Sequence, residues 1–426
     1  MKQPIVSEYS NGAYNLHIIN TDKFKTIKVS VNFKAPVKKE EITIRNILKM
    51  VLLNSCEKYK TERDLIIESE NLYDLKISST TSRVGNYSIL TFNLEFLNEK
   101  YSESNMNEYS LDFLMNLLFK PNVYDNCFDE VSFNIAKNVL FKNIKSLKDN
   151  KTKYSILKLL QSMDDKLPYS YDPNGSLEDL EKITKSDLYT YYKKVMANDL
   201  VDIIVVGEVD EEKIKEYFIN NFKINTYKKS KEEIFLPNMM PRKRVKKIVE
   251  NDHVNQTKLA LSLRVNNMTD HERKYVLRVY NEILGGSSNS LLFLNVREKH
   301  SLAYYINSFS QYYDNLVIIY GGINSAKTNM AIKLIKDALK KMEKGSFKEE
   351  LLDNALKTII SAIKVSEDSN SGIVNNYYAK SLVNADDINE KINKYQNIKK
   401  EDIIALAKKI KMDTIYLLTG GLDENN

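Results

Sequence analysis

Three segments of the chain recur in the same order about 215 residues further on, and this repetition constrains the fold more than any other feature. FDEVSFNIAKNVLFKNIKSL, beginning at Phe128, returns as FKEELLDNALKTIISAIKVS, beginning at Phe347. ITKSDLYTYYKKV, beginning at Ile183, returns as IKKEDIIALAKKI, beginning at Ile398, and VDIIVVGEVD at Val201 returns as DTIYLLTGGLD at Asp413. Two amphipathic helices can match by chance once. An ordered set of matches indicates a duplicated domain. Each copy mixes strands that pair with near neighbours and helices that follow them, which predicts the α+β class: two homologous domains, each an antiparallel sheet packed with helices.

Alternation of side-chain character places two strands in residues 14–34, either side of Asn20-Thr21-Asp22, and a strand pair in KISSTTSRVG and YSILTFNLEF. Helical spacing of Ile44, Ile47, Leu48, Val51 and Leu52 predicts a helix over 41–54. Further helices are expected over 62–70, 107–118, 128–148, 153–163, 186–195, 329–344 and 347–365. Residues 223–243 read KINTYKKSKEEIFLPNMMPRK, with two prolines and interleaved charge, which suits a linker. The expected division is therefore a domain over 1–223, a linker over 224–243 and a domain over 244–426. Basic clusters around Lys228 and Arg242 could meet an acidic partner, but the acidic residues among them favour a solvated segment.

The totals exclude several function classes. A net charge of +6 over 426 residues does not suggest nucleic-acid binding. The absence of an apolar run of spanning length predicts no membrane segment, and the first residues lack a signal-peptide core. Cys56 and Cys127 have no metal or disulfide spacing, so reduced thiols in a cytoplasmic protein are expected. His17, His253, His271 and His300 include no pair at i, i+3 or i+4, so they offer no helical metal site. No G-x-S-x-G nucleophile motif occurs.

The segment Leu284–Tyr305, LGGSSNSLLFLNVREKHSLAYY, reads as a glycine turn, a buried helix capped by Asn289 or Ser290, a charged helix end at Arg297–His300, and a strand from about Ala303. The duplicated unit, the closing VVGEVD strand and this segment together resemble the pitrilysin/insulinase family of metallopeptidases over nearly the whole chain. The resemblance implies two α+β domains that form half of a chamber around an unfolded peptide. It also implies an inverted zinc motif, H-x-x-E-H, on the first long helix, with a glutamate from a later helix completing the ligands. Here the motif's place reads RNILK. Arg45 and Lys49 stand where the histidines would be, Leu48 where the general base would be, and Asn143 where the further glutamate is expected.

No metal is therefore expected in this chain. The resemblance does carry over a substrate-holding pair, Arg297 and Tyr304, seven residues apart, next to Gly285, Gly286 and Ser287 as candidate peptide-binding positions. It implies a non-catalytic subunit of a two-chain zinc peptidase, whose homologous partner carries H-x-x-E-H and the zinc. Bacterial non-catalytic relatives include one associated with modification of elongation factor P. The alternative is a peptide-binding or structural scaffold with no peptidase partner.

Overall fold

The computed structural model describes residues 5–224 and 233–420. Its first sheet takes β1 (Ile5–Ser10), β2 (Tyr14–Asn20), β3 (Thr26–Pro36), β4 (Lys76–Val84) and β5 (Tyr87–Leu97). A separate short pair, β6 (Val123–Tyr124) and β7 (Cys127–Phe128), precedes β8 (Leu200–Gly207), which joins that sheet. The strand order is β1-β2-β8-β3-β5-β4. All neighbours are antiparallel except β2 and β8. The second sheet takes β9 (Lys246–Asn251), β10 (Thr257–Val265), β11 (Ala303–Gln311), β12 (Leu316–Ile323) and β13 (Ile410–Thr419), in the order β11-β12-β10-β13-β9. Here only β13 and β9 run parallel. Set β1 aside, and the first sheet traversed from β2 has the same connectivity as the second traversed from β9. The duplication read from the sequence is thus a duplication of topology.

The strands on either side of Asn20-Thr21-Asp22 form as expected, but β8 enters between them. Alternation fixes which face a residue takes, not which strand becomes its neighbour.

The helices of the first half are α1 (Ile42–Val51), α2 (Glu62–Asn71), α3 (Met106–Phe119), α4 (Glu130–Ser146), α5 (Lys151–Met163), α6 (Leu177–Lys182), α7 (Lys185–Asn198) and α8 (Glu211–Asn221). Those of the second half are α9 (Leu277–Asn281), α10 (Thr328–Lys344), α11 (Glu349–Ser366), α12 (Asn370–Val383), α13 (Ile388–Gln396) and α14 (Lys400–Lys408). Local chemistry starts several of them. Thr61 Oγ1 accepts from Asp64 N–H while Asp64 returns the bond to Thr61 N–H, a capping box that Thr184 and Asp187 repeat at α7.

Two compact units result. The first comprises the described residues of Met1–Ile144, Asp172–Ile234 and Val365–Ala385; the second comprises those of Lys145–Tyr171, Phe235–Lys364 and Asp386–Asn426. One face of the first sheet (Leu16, Ile18, Val29, Val31, Ile203, Val205) packs with residues of α1, α3, α4, α7 and α8. The alternate residues Ile19, Ile204 and Val206 pack with Ile373 and Val374 of α12. In the second unit, Leu261, Leu263, Val317 and Ile319 pack with α9, α10, α11 and α14. The opposite face, Ala260, Leu316, Ile318, Tyr416 and Leu418, packs with Leu159, Leu160 and Met163 of α5.

The units therefore are not the continuous stretches 1–223 and 244–426. Helix α5 lies in the second unit and its repeat counterpart α12 in the first. The physical reason is that each sheet has two apolar faces, and the helices contiguous with it in sequence bury only one. The described part of the proposed linker is irregular and largely exposed, but it is anchored at two points. Leu236 is buried, and Arg242 Nη2 donates to Met163 O at 2.8 Å. The remainder, 225–232 with Lys228, lies outside the described residues.

Candidate functional site

Helix α1 presents Ile47, Leu48 and Val51 to the core, where Leu48 is fully buried. Arg45 is 2% exposed on the same helix. Its Nη2 donates to Asp199 Oδ2 at 2.7 Å and to Phe33 O at 2.8 Å, and its Nη1 donates to Tyr191 OH at 3.3 Å. Asp199 caps the C-terminus of α7 just before β8, so the ion pair ties α1 to the α7–β8 junction. Burial opposes the guanidinium charge, but Asp199 and Tyr191 outweigh it and hold the Arg45 pKa above its ordinary value. Burial pushes the Tyr191 phenol up to about 12, so it stays neutral.

Lys49 is half-buried. Its Nζ donates to Thr81 Oγ1 at 3.0 Å, and burial lowers its pKa. Thr81 in turn donates to Asn46 Oδ1 at 2.7 Å, and Ser79 Oγ donates to Lys49 O at 3.0 Å, which laces α1 to β4. Asn143 lies on the exposed side of α4. A guanidinium and a protonated ammonium have no lone pair for a cation, and Leu48, at the position where the resemblance puts the general base, cannot take a proton. The residues present do not fit a zinc ion. Among the described residues, no group of three or more His, Cys, Asp or Glu side chains is placed to hold a metal.

The second unit treats the corresponding junction with the charges reversed. Lys409, immediately before β13, donates to Glu272 Oε2 at 2.7 Å, and Glu272 opens the helix that precedes Gly285. That helix begins in a π turn (Glu272–Val276), passes through α9 and ends in a second π turn (Glu282–Gly286). Gly285 and Gly286 do not adopt left-handed angles. The role of Gly285 is closeness: a Cβ there would meet Ser308 Oγ at 2.7 Å and Leu292 Cδ1 at 2.9 Å. The chain then turns extended at Ser287. Ser290 Oγ, rather than Asn289, accepts from Phe293 N–H at 3.4 Å. The expected helix follows, but Phe293–Lys299 winds as a π-helix.

Arg297 lies at the end of that π segment, exposed, with its guanidinium 4.7 Å from the Phe293 ring centre and Nε 3.7 Å from Glu298 Oε1. Ser301, left-handed at φ 47°, closes the helix: its N–H donates to Arg297 O, and Leu302 N–H donates to Val296 O. Strand β11 begins two residues later, and the register slips at once. Ala303 faces Ile323 and Tyr305 faces Gly322, leaving Tyr304 as the extra residue of a bulge. Its side chain is 68% exposed, whereas Tyr305 turns to Thr152, with its OH 2.6 Å from Oγ1. The Arg297–Glu298 pair is exposed on both sides and is worth little. Tyr304 does not pack on the sheet.

Neither the bulge nor the π turns could be read from the sequence. The run Ala303-Tyr304-Tyr305 announces a strand but not which tyrosine leaves it. Asp199 reads in the sequence as an ordinary polar residue between a helix and a strand, with no local signal of its pairing to Arg45.

The model of the family described as "Peptidase M16 inactive domain" matches residues 182–359. The chain is 30% identical over 414 residues to the probable inactive metalloprotease YmfF of Bacillus subtilis, covering 96% of each. It is 25% identical over 308 residues to the uncharacterized zinc protease YmxG of the same organism, covering 71% of this chain and 72% of that one. A conserved protein from Enterococcus faecalis V583 has the same fold, with a TM-score of 0.92 at 24% identity over the whole of both chains. With this likeness along its full length, the chain belongs to the M16 peptidases, among their inactive members.

Proposed function

We propose that the chain is the non-catalytic subunit of a two-chain zinc peptidase. A homologous partner carrying H-x-x-E-H holds the zinc. This chain forms half of a peptide-binding chamber and presents Arg297 and Tyr304 in trans, with Gly285, Gly286 and Ser287 as further candidate positions for peptide binding. The reading places it in the cytoplasm, where its two free cysteines stay reduced.

The observation that carries the proposal is a contrast between the two candidate sites. The metal positions of α1 are consumed by internal bonds, whereas Arg297 and Tyr304 stand exposed on a π turn and a β-bulge, two irregularities that gather at functional sites. Arg297 offers a fixed fork of donors and Tyr304 a hydroxyl, both suited to a peptide carbonyl or the oxyanion developing from it. Strand β11 is the edge of its sheet, and an extended peptide can align there by main-chain bonds.

The test is purification of the chain from its native cell with its partner identified by mass, followed by kinetics on the pair. Arg297→Ala should leave the complex intact by size-exclusion chromatography and lower kcat by about a hundred- to a thousandfold. Tyr304→Phe should have a smaller effect, and Arg297→Lys should restore activity only in part. An intact complex that cleaves at the unmutated rate with Arg297→Ala would remove the pair from the reaction. Purification with no homologous partner would favour the scaffold.

A further inference from the structure

The face of the first sheet that meets α12 is apolar at one end and polar at the other. At the polar end, a cavity of about 390 Å³ lies among Glu8 and Ser10 of β1, Asn15 and His17 of β2, and Tyr377, Lys380, Ser381 and Asn384 at the C-terminal end of α12. Its floor is built. Asp202 of β8 is buried and accepts from Asn15 Nδ2 at 3.1 Å and Ser381 Oγ at 2.9 Å. Burial works against this carboxylate's charge, but its hydrogen bonds and the nearby Lys34 ammonium outweigh that and hold its pKa below the ordinary range. The His17 ring stands between two carboxylates, Nδ1 3.5 Å from Glu8 Oε1 and Nε2 3.7 Å from Asp202 Oδ1. Nε2 is buried without a hydrogen-bond partner.

Two charges on the wall can take a further partner. Glu8 is 60% exposed at its side chain and has only His17 as an ion partner among the described residues. Lys380, in the last turn of α12, makes no ion pair among them. The two line one cavity and do not pair with each other. A volume of this size suits a small ligand, and the complement of an exposed carboxylate with only an imidazole beside it and an ammonium without an ion pair among the described residues is a molecule carrying both charges.

We propose that this cavity binds a small zwitterion, a free amino acid or a dipeptide, with its ammonium group at Glu8 and its carboxylate at Lys380. Asn15, Asn384 and the Tyr377 ring supply hydrogen bonds and an apolar wall for the remainder. The site lies within the first unit and does not depend on a peptidase partner.

Isothermal titration of the full-length protein tests it with four probes: L-alanine, L-alanyl-L-alanine, N-acetyl-L-alanine and L-alanine amide. At least one zwitterion should bind saturably and at least tenfold more tightly than the acetylated and amidated forms. A tighter alanine assigns the free amino acid; a tighter dialanine assigns a peptide. Glu8→Gln should abolish the preference over N-acetyl-alanine, and Lys380→Met the preference over alanine amide. Both side chains are on the surface, so circular dichroism should show both variants folded. Absence of saturable binding by either zwitterion, or preferences that survive both substitutions, would overturn the proposal.

Discussion

Arg45 is a buried cation held by its neighbours. A buried guanidinium is costly unless its charge and donors are met. Here Asp199, Tyr191 and the Phe33 carbonyl meet three of its five N–H groups, while Nε stays without a partner. Removing one member strands the other. Arg45→Ala should destabilise the protein by about 3–5 kcal/mol in urea unfolding, because Asp199 would be left buried and unpaired. Replacing the pair with Arg45→Met and Asp199→Leu should recover most of that loss, since two apolar side chains leave no charge stranded. If the single and double substitutions cost the same, the ion pair does not hold α1 in place. The reversed pair Glu272–Lys409 shows that the duplicated fold uses a charge bridge at this junction whichever half supplies the cation.

At the scale of elements, the turn from Gly285 into β11 positions Arg297 and Tyr304 through close packing. Gly285→Ala would drive a methyl into Ser308 and Leu292. It should destabilise by about 1–3 kcal/mol, as overpacking does in a filled core. Gly286→Ala meets mainly the end of the Glu282 side chain, at 2.7 Å, which can swing aside. That change should stay within about 0.5 kcal/mol. Paired urea titrations check the contrast, and equal costs would mean that the helix does not need its approach to Ser308. Strands, long helices and the Ser290 cap were readable because each rests on local periodicity or a local side-chain bond. The π turns, the Tyr304 bulge and the insertion of β8 between β2 and β3 were not, because these follow from register and packing between segments distant in sequence. Arg45 and Lys49 could be recognised as unfit for zinc from residue type alone; the Asp199 partner required the fold.

The whole molecule departs from a pair of beads on a string. Each sheet buries its second face under a helix from the other half of the chain: α12 on the first, α5 on the second. Without Leu159, Leu160 and Met163, the apolar residues Ala260, Leu316, Ile318, Tyr416 and Leu418 would face water, and an exposed apolar sheet face invites aggregation. Losing Ile373 and Val374 would likewise uncover Ile19, Ile204 and Val206. The halves should therefore be mutually dependent, although the duplication gives each a full set of sheet strands. A protease site introduced within residues 225–232 should, after cleavage, leave two fragments that co-elute in size-exclusion chromatography and separate only in denaturant. Residues 1–224 and 233–426 expressed alone should each be aggregated or poorly folded by circular dichroism, and should regain native structure when refolded together. Two halves that are each monomeric and cooperatively folded in isolation would show that the exchanged helices are dispensable and that the duplicated units are independent domains.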